Sequence, residues 1–496
     1  MTESAMFEER DLWITMNDGI RLDTTVCTPV GEQPAKGWPA VLLIHGHGDT
    51  ACKLSCLPRA RRLAERGYLA VAYSVRGQGA SEGLCFHMGP RELYDLQDVI
   101  DWVLTDLPVH PDRLGVAGSS QGGWHSYMAA AHHDRVATVV PENIFTDYAE
   151  FGVMNGCLNR WFLARTMKRH ILTAGFQDLA RQWALSGEWD LLQEWLRDRS
   201  PLLFAERIKC PVFILHGWHD VGMPPNQTLA MFERLRGPKK LYLGGGGHDG
   251  QDDPSALAVR ETLVDRWLDH WLKGEANGIM DEEPITCAVR PGWDHIEVDS
   301  TALTTDLKSV YLHHPGTLGW EAPVTTSVPS NIVNAPIDAG YDLRAALHDD
   351  MAGVEAALPR LECCFDTDAV EGDVMILGAP EFRLHLLPNG PAFQVHAELY
   401  DVYDDPDGEH ARLISRGHCG TRTATPGKHV LFEFEGAAIA YRLAAGHRLR
   451  LVVTNCNSTF AYPFFHSSCT RLFHDPERAS CVELPVRERS VHDVSE

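Results

Sequence analysis

Two Gly-x-Ser-x-Gly pentads, Gly118-Ser119-Ser120-Gln121-Gly122 and Gly79-Ala80-Ser81-Glu82-Gly83, are the segments of this sequence best suited to covalent chemistry. A serine hydroxyl is a poor nucleophile unless it is exposed and paired with a base. A sharp strand-to-helix turn supplies the exposure, and flanking glycines admit the close backbone approach that such a turn requires. Only the first pentad has those surroundings: the apolar run 114–117 precedes it and a small-residue helical stretch, 124–132, follows. Ser81 has neither. Ser120 is therefore the expected nucleophile, and the expected chemistry is acyl transfer through a serine ester.

Such a serine needs a base, and the base needs an acid to hold it. On a sheet of parallel strands with helices on both faces, the partners follow in the order nucleophile, acid, base. Each stands in a loop after a strand, at the carboxyl edge. Asp220 follows the apolar run 211–215 through His216-Gly217-Trp218-His219, and His248 follows 240–243 through four glycines, 244–247. His216 and His219 precede the acid and stand too early to be the base. The oxyanion formed on attack needs preorganised donors. The backbone N–H of Gln121, at a helix N-terminus, is one expected donor. The backbone N–H of His47, in His45-Gly46-His47-Gly48 after the strand 40–45, is the other.

The elements that must position these residues alternate along the first half of the chain. Runs 12–16 and 22–28 flank the hairpin signal Asn17-Asp18-Gly19. Strands are expected at 40–45, 69–74, 114–117, 136–140, 211–215 and 240–243, and helices at 57–66, 91–107, 226–235 and 255–273. This pattern predicts a mostly parallel sheet. Residues 143–205, rich in Trp, Leu and Arg, break the rhythm and read as wholly helical, an insertion well placed to act as a lid. After Gly278, short β-rich runs at 310–313, 374–376, 382–386, 393–400, 429–434 and 448–453 alternate with Pro, Gly and Asp turns, which predicts an all-β sandwich. The expected organisation is an α/β-hydrolase domain over 1–280, with the helical lid insertion at 143–205, and a β-sandwich domain over 281–496.

Bulk properties narrow the partners. The chain has 496 residues, 44% hydrophobic and 23% charged, a globular composition too long for one core. A formal charge of −24 opposes binding to nucleic acid or an anionic membrane surface. No apolar run approaches a membrane span, and the polar, acidic residues 1–10 do not read as a signal peptide. The 13 cysteines show no zinc-like pairing, so a reduced, cytoplasmic protein without a metal site is expected. Serine acyl chemistry calls for no cofactor.

The core motifs resemble the acetyl xylan esterase/cephalosporin C deacetylase family: His45-Gly46, Arg76-Gly77-Gln78-Gly79-x-Ser81, Gly118-x-Ser120-Gln121-Gly122-Gly123, Asp220-x-x-x-Pro224-Pro225 and His248-x-Gly250. That resemblance makes Ser81 part of a structural loop. The whole-chain layout is similar to the cocaine esterase/X-Pro dipeptidyl-peptidase family. The similarity runs through Met16-Asn17-Asp18-Gly19-Ile20-Arg21-Leu22, Trp267-Leu268-x-x-Trp271-Leu272-Lys273-Gly274, Phe365-Asp366-Thr367 and Gly446-His447-Arg448-Leu449-Arg450-Leu451. It implies a C-terminal jelly roll and a small acyl ester as substrate, with an amidase, X-Pro dipeptidyl-peptidase or acyltransferase as alternatives on the same triad. Both families include homo-oligomers, an expectation that carries over without a stated number. The second family usually has Tyr after the nucleophile, where this chain has Gln121. The insertion's Asp147, Glu150, Glu188 and Asp190 read as solvated helix faces rather than a site for a substrate amine.

Overall fold

The computed structural model describes residues 6–159, 162, 172–220, 222–248, 254–299, 303, 307–334, 363–455, 464 and 467–487. The chain divides into two compact units, Met1–Ala149 with Arg165–Cys287, and Glu150–Ala164 with Ala288–Glu496.

In the first unit the strands are β1 (Phe7–Thr15), β2 (Arg21–Pro29), β3 (Trp38–Ile44), β4 (Leu69–Tyr73), β5 (Val109–Ser119), β6 (Val136–Glu142), β7 (Val212–Gly217), β8 (Lys239–Gly244) and the first three residues of β9 (Ile285–Val289). They lie in the order β1-β2-β4-β3-β5-β6-β7-β8-β9. β1 and β2 form the antiparallel hairpin foreseen at Asn17-Asp18-Gly19, and β3 to β9 run parallel. The parallel strands are continuous apolar runs, as strands covered on both faces must be; β4 is buried at every residue. Register brings their ends together: Ile44 pairs with Gly118, Gly118 with Pro141, Glu142 with Leu215, and Gly217 with Gly244. The loops that follow β3, β5, β7 and β8 therefore leave one edge.

Helices α1 (Leu57–Glu65), α2 (Pro90–Asp106) and α3 (Gln121–His132) follow β3, β4 and β5. Leu57, Ala60, Leu63 and Ala64 of α1 share a buried cluster with Val41, Leu43, Ala70, Ala72, Ala117 and Phe213, residues of one parity on their strands. After α4 (Ala174–Ser186), α5 (Trp189–Arg197) and α6 (Asn226–Arg234), helix α7 (Pro254–Leu268) adds Leu263, Val264, Trp267 and Leu268 to that cluster. The Trp267 indole N–H donates to Thr138 Oγ1 at 2.8 Å, and that hydroxyl donates to Pro211 O at 2.9 Å, so the one polar atom of a fully buried ring is satisfied. Arg62 pairs with Glu261 and Asp265, and Arg66 with Asp265 and Asp269, tying α1 to the end of α7. Among the described residues no helix is long and apolar enough to cross a membrane.

The segment 143–205 is not wholly helical. Val153–Met154 and Cys157–Leu158 form an antiparallel hairpin around Asn155-Gly156, both at positive φ (48° and 72°). The Asn-Gly pair is a hairpin turn signal, but its two-residue arms are too short to show a strand period. The helical part described includes the short helix Tyr148–Gly152, helices α4 and α5 and the turn Pro201–Arg207. Residues 160, 161 and 163–171 lie outside the described residues.

The second unit is largely β. Its main sheet runs Ser330–Asn334, Ser468–Leu472, Glu381–Pro388, Cys481–Arg487, Leu307–His313, Thr317–Gly319, Cys363–Asp366, Arg448–Thr454, Phe393–Asp405, Gly408–Thr421. Alternate residues point inward: Phe382, Leu384 and Leu386 join Val395, Ala397, Leu399, Leu451, Val453 and Val482 in one apolar core. The Asn155-Gly156 turn seats on the strand Gly408–Thr421, where Gly420 N–H donates to Asn155 O at 2.8 Å. A Cβ on Gly156 would lie 2.2 Å from Gly420 O, so only glycine permits that contact.

The second Gly-x-Ser-x-Gly pentad has a structural task in the first unit. The Ser81 hydroxyl is buried, donates to Ser74 O at 2.6 Å and accepts from Asp23 N–H at 2.9 Å, fastening the loop after β4 to β2. The neighbouring Arg76 guanidinium grips Asp95 with two bonds of 2.7 Å. Ser81→Ala is expected to lower unfolding stability by roughly 1–3 kcal/mol, because it orphans a buried donor and acceptor. It should leave kcat of the folded enzyme within about twofold of wild type; denaturant titration and steady-state turnover read the two effects separately.

Candidate active site

Ser120 stands between β5 and α3 with φ 55° and ψ −120°, a backbone region that L residues avoid. Such a residue costs about 1–3 kcal/mol and persists only where its surroundings over-determine it. Ser120 N–H donates to Glu142 O at 2.8 Å, and Ser120 O accepts from Gly123 N–H at 2.8 Å and Trp124 N–H at 3.1 Å. The two flanking glycines let β3 crowd the turn, since a Cβ on Gly118 or Gly122 would lie 2.3 or 2.0 Å from Ile44 O. The result is a serine lifted off the sheet edge and only partly buried.

The structure brings Ser120, His248 and Asp220 together. His248 Nε2 lies 3.0 Å from Ser120 Oγ, and His248 Nδ1 lies 2.6 Å from Asp220 Oδ2. A carboxylate only accepts, so Nδ1 carries the proton and Nε2 faces the Ser120 hydroxyl as an acceptor. Asp220 Oδ1 accepts from Met223 N–H at 2.8 Å and Gly222 N–H at 3.1 Å, and the carboxylate is wholly shielded from solvent.

The loops carrying Asp220 and His248 are zipped together. Trp218 N–H donates to Gly244 O at 2.9 Å and His219 N–H to Gly246 O at 3.1 Å, while a Cβ on Gly217 would come within 2.2 Å of Gly246 O. His216 accepts from Thr228 Oγ1 at Nδ1 (2.8 Å) and donates from Nε2 to Met223 O (2.8 Å). Burial pushes its pKa down, so it is a neutral strut under the Asp220 loop. Asp249 and Gly250, the end of the His248-x-Gly250 motif, lie outside the described residues.

The loop after β3 reaches the same place: a Cβ on Gly46 would stand 3.4 Å from Ser120 Cβ. His45 is buried and its pKa is pulled down to about 4 by desolvation. Its Nε2 accepts from Val75 N–H at 2.9 Å, and its Nδ1–H donates to Gly46 O at 2.7 Å. In a trans peptide the carbonyl and the next N–H point opposite ways. Drawing Gly46 O toward the His45 ring therefore turns His47 N–H away from that ring. Residues 47 and 121, whose backbone N–H groups are the expected oxyanion donors, are joined by a side-chain bond, His47 Nδ1 to Gln121 Oε1 at 2.8 Å.

Sequence reasoning missed four contributors. Glu142 ends β6 and Asn143 follows it, and Asn143 Oδ1 accepts from Gly217 N–H at 3.0 Å, joining two loops of the sheet edge. Gln78 and His216 are the others; both sit in motifs noted in the sequence, but their tasks depend on partners distant in the chain. Of the insertion's acidic residues, Glu188 and Asp190 are exposed, and Asp147 Oδ1 accepts from Ser200 Oγ at 3.3 Å.

Comparison with known proteins gives the family-level context of the chain. The family described as X-Pro dipeptidyl-peptidase (S15 family) matches residues 18–250, and the X-Pro dipeptidyl-peptidase C-terminal non-catalytic domain matches 277–480. The chain is 25% identical over 283 residues to dipeptidyl-peptidase 5 of Porphyromonas gingivalis, covering 53% of this chain and 37% of that protein. The chain thus spans about a third of that relative's length. It is 22% identical over 486 residues to a putative Xaa-Pro dipeptidyl-peptidase of Bacillus cereus, covering 85% of this chain and 76% of that protein. An α-amino acid ester hydrolase structure shares the fold, with TM-score 0.76, 18% identity and 98% of both chains covered.

One buried histidine beside the site makes a pH test. His125, in the first turns of α3, donates from Nδ1 to Gln121 O at 2.8 Å, and burial lowers its pKa to about 4. Its folded pKa lies below the unfolded value, so the unfolded chain takes up the proton first. The associated stability is complete above about pH 6.5 and is lost as pH falls toward 4. Relative to His125→Gln, which keeps a donor but does not titrate, the wild type should lose on the order of 3 kcal/mol between pH 7 and pH 4. Parallel denaturant titrations check this; equal pH slopes for the two proteins would contradict it.

Proposed function

Because the chain belongs to the X-Pro dipeptidyl-peptidase (S15) family and is a serine hydrolase, we propose that it cleaves small acyl esters through an acyl-enzyme on Ser120. The observation that carries this reading is His248, within 3.0 Å of Ser120 Oγ and 2.6 Å of Asp220. Ser120 Oγ attacks the acyl carbonyl while its proton passes to His248 Nε2. Asp220 holds the imidazole in one tautomer and stabilises its protonated form. The backbone N–H groups of His47 and Gln121 receive the oxyanion. Collapse of the tetrahedral intermediate expels the alcohol, which leaves with the proton from His248. Water then attacks the acyl-enzyme by the same route in reverse, releasing the acid and restoring Ser120.

In this reading residues 1–280 form the catalytic domain and 281–496 a jelly roll. Within 143–205, helices α4 and α5 serve as the lid. A run of rings supports that assignment: Trp195 of α5 lies 4.8 Å from Phe176 of α4, Phe176 5.2 Å from His87, and His87 4.4 Å from His47 on the oxyanion loop. The second reading is an X-Pro dipeptidyl-peptidase on the same triad, favoured by the description of the matching family. An acyltransferase would require that another alcohol or amine replace the water.

Ser120→Ala should lower turnover by roughly 10⁶-fold and Asp220→Asn by roughly 10⁴-fold. A fluorophosphonate probe followed by peptide mapping should place its label on Ser120; a label elsewhere removes the triad assignment. A panel of p-nitrophenyl esters run beside Xaa-Pro anilides separates the two readings. Short acyl esters are expected to give the higher kcat/KM, and a clear preference for the anilides would establish the peptidase.

A further inference from the structure

We infer that the side chain of Gln121 is the brace that sets the oxyanion hole, holding the loop that bears one donor to the residue that bears the other. The inference rests on the serine-hydrolase reading above and adds a positioning role that no backbone argument supplies. Its starting point is a backbone group, which can only donate. Gly48 N–H donates to Gln78 Oε1 at 3.2 Å. Gln78 therefore faces Gly48 with its oxygen and turns its amide nitrogen the other way. That Nε2–H donates to Gln121 Oε1 at 3.0 Å. The atom received there must be the oxygen of Gln121, and since oxygen only accepts, His47 Nδ1 at 2.8 Å must carry its proton.

Three side chains are thus oriented by elimination, in one chain from Gly48 N–H through Gln78 and Gln121 to the His47 ring. Gln78 and Gln121 are fully buried, so water does not compete for these bonds and each is stronger than it would be at the surface. The consequence is geometric. The His47-Gly48 segment is fastened at two points, the ring of 47 and the N–H of 48. Both fastenings lead to the side chain of the residue whose own backbone N–H opens α3 beside Ser120. The separation of the two oxyanion donors is therefore set by one amide rather than by the course of a flexible loop. Gln121 acts twice, through its N–H on the oxyanion and through its side chain on the other donor.

The test uses Gln121→Met and Gln78→Met, near-isosteric changes that delete the amides, in the 496-residue chain with its best p-nitrophenyl ester. A misplaced donor costs less than a deleted one, so kcat should fall by roughly 10- to 100-fold in Gln121→Met while KM moves by less than about threefold. A trifluoromethyl ketone, whose adduct with a serine carries an oxyanion, should weaken by the same factor as kcat/KM. The pH profile of kcat/KM should not move, because His248 and Asp220 are untouched. The double variant should be no worse than Gln121→Met alone, since both changes cut one chain.

Wild-type kcat in Gln121→Met, a loss confined to KM, or fully additive losses in the double variant would each overturn the brace. If Gln121→Met does not fold, Gln78→Met and Gln78→Glu decide. The second keeps the acceptor for Gly48 N–H but loses the donor to Gln121. Both should lower kcat and the ketone's affinity together, and unchanged values in both would overturn the inference. Full loss of turnover in Ser120→Ala with wild-type kcat in the glutamine variants removes the brace and leaves the triad; turnover surviving in Ser120→Ala removes both.

Discussion

A serine forced into a backbone conformation that its own Cβ resists is the constraint on which the site depends. Nothing in the local sequence favours φ 55° at Ser120. The conformation exists because β3, β5 and α3 converge so tightly that the carbonyl of Ile44 occupies the space where side chains of residues 118 and 122 would be. The strain is offset by the buried sheet around it and by the bonds from Ser120 to Glu142, Gly123 and Trp124. What the fold gains is a hydroxyl that cannot sink back toward the sheet, beside the first free N–H of a helix.

Around that serine, histidines are sorted by burial and by partner rather than by proximity alone. His45, His125 and His216 are buried, their pKa values lowered by desolvation, and each spends ring nitrogens on neutral hydrogen bonds to the backbone or a hydroxyl. They are struts. His248 alone of these four pairs a carboxylate at one nitrogen with the Ser120 hydroxyl at the other. An imidazole flanked in that way can take up a proton at Nε2 while Asp220 holds Nδ1–H and offsets the charge, whereas burial keeps His45, His125 and His216 neutral.

Much of the site was legible in advance because its requirements are local or ordinal. Strand before and helix after singled out Ser120 over Ser81, and the chain order of nucleophile, acid and base singled out Asp220 and His248. The glycine runs could be read as close approaches, and Gly217 against Gly246 O is such an approach. The Asn155-Gly156 hairpin was legible too, yet the surrounding helical texture overrode a signal carried by a two-residue turn. Gln78 and Glu142 were not legible in their roles, because a buried amide or a strand-end carbonyl acquires its task only from the group that folding sets against it.

The sequence by itself determined the period of the strands and helices, the change of texture near residue 280, and which serine had a strand to stand on. These follow from side-chain spacing and glycine placement, which act over a few residues. Only the tertiary structure decided that the Glu150–Ala164 segment joins the second unit, that three histidines near Ser120 are buried, and that Gln121 reaches across to His47. Those outcomes depend on contacts between residues tens of positions apart, where hydrogen-bond direction and burial, rather than local pattern, choose the partner.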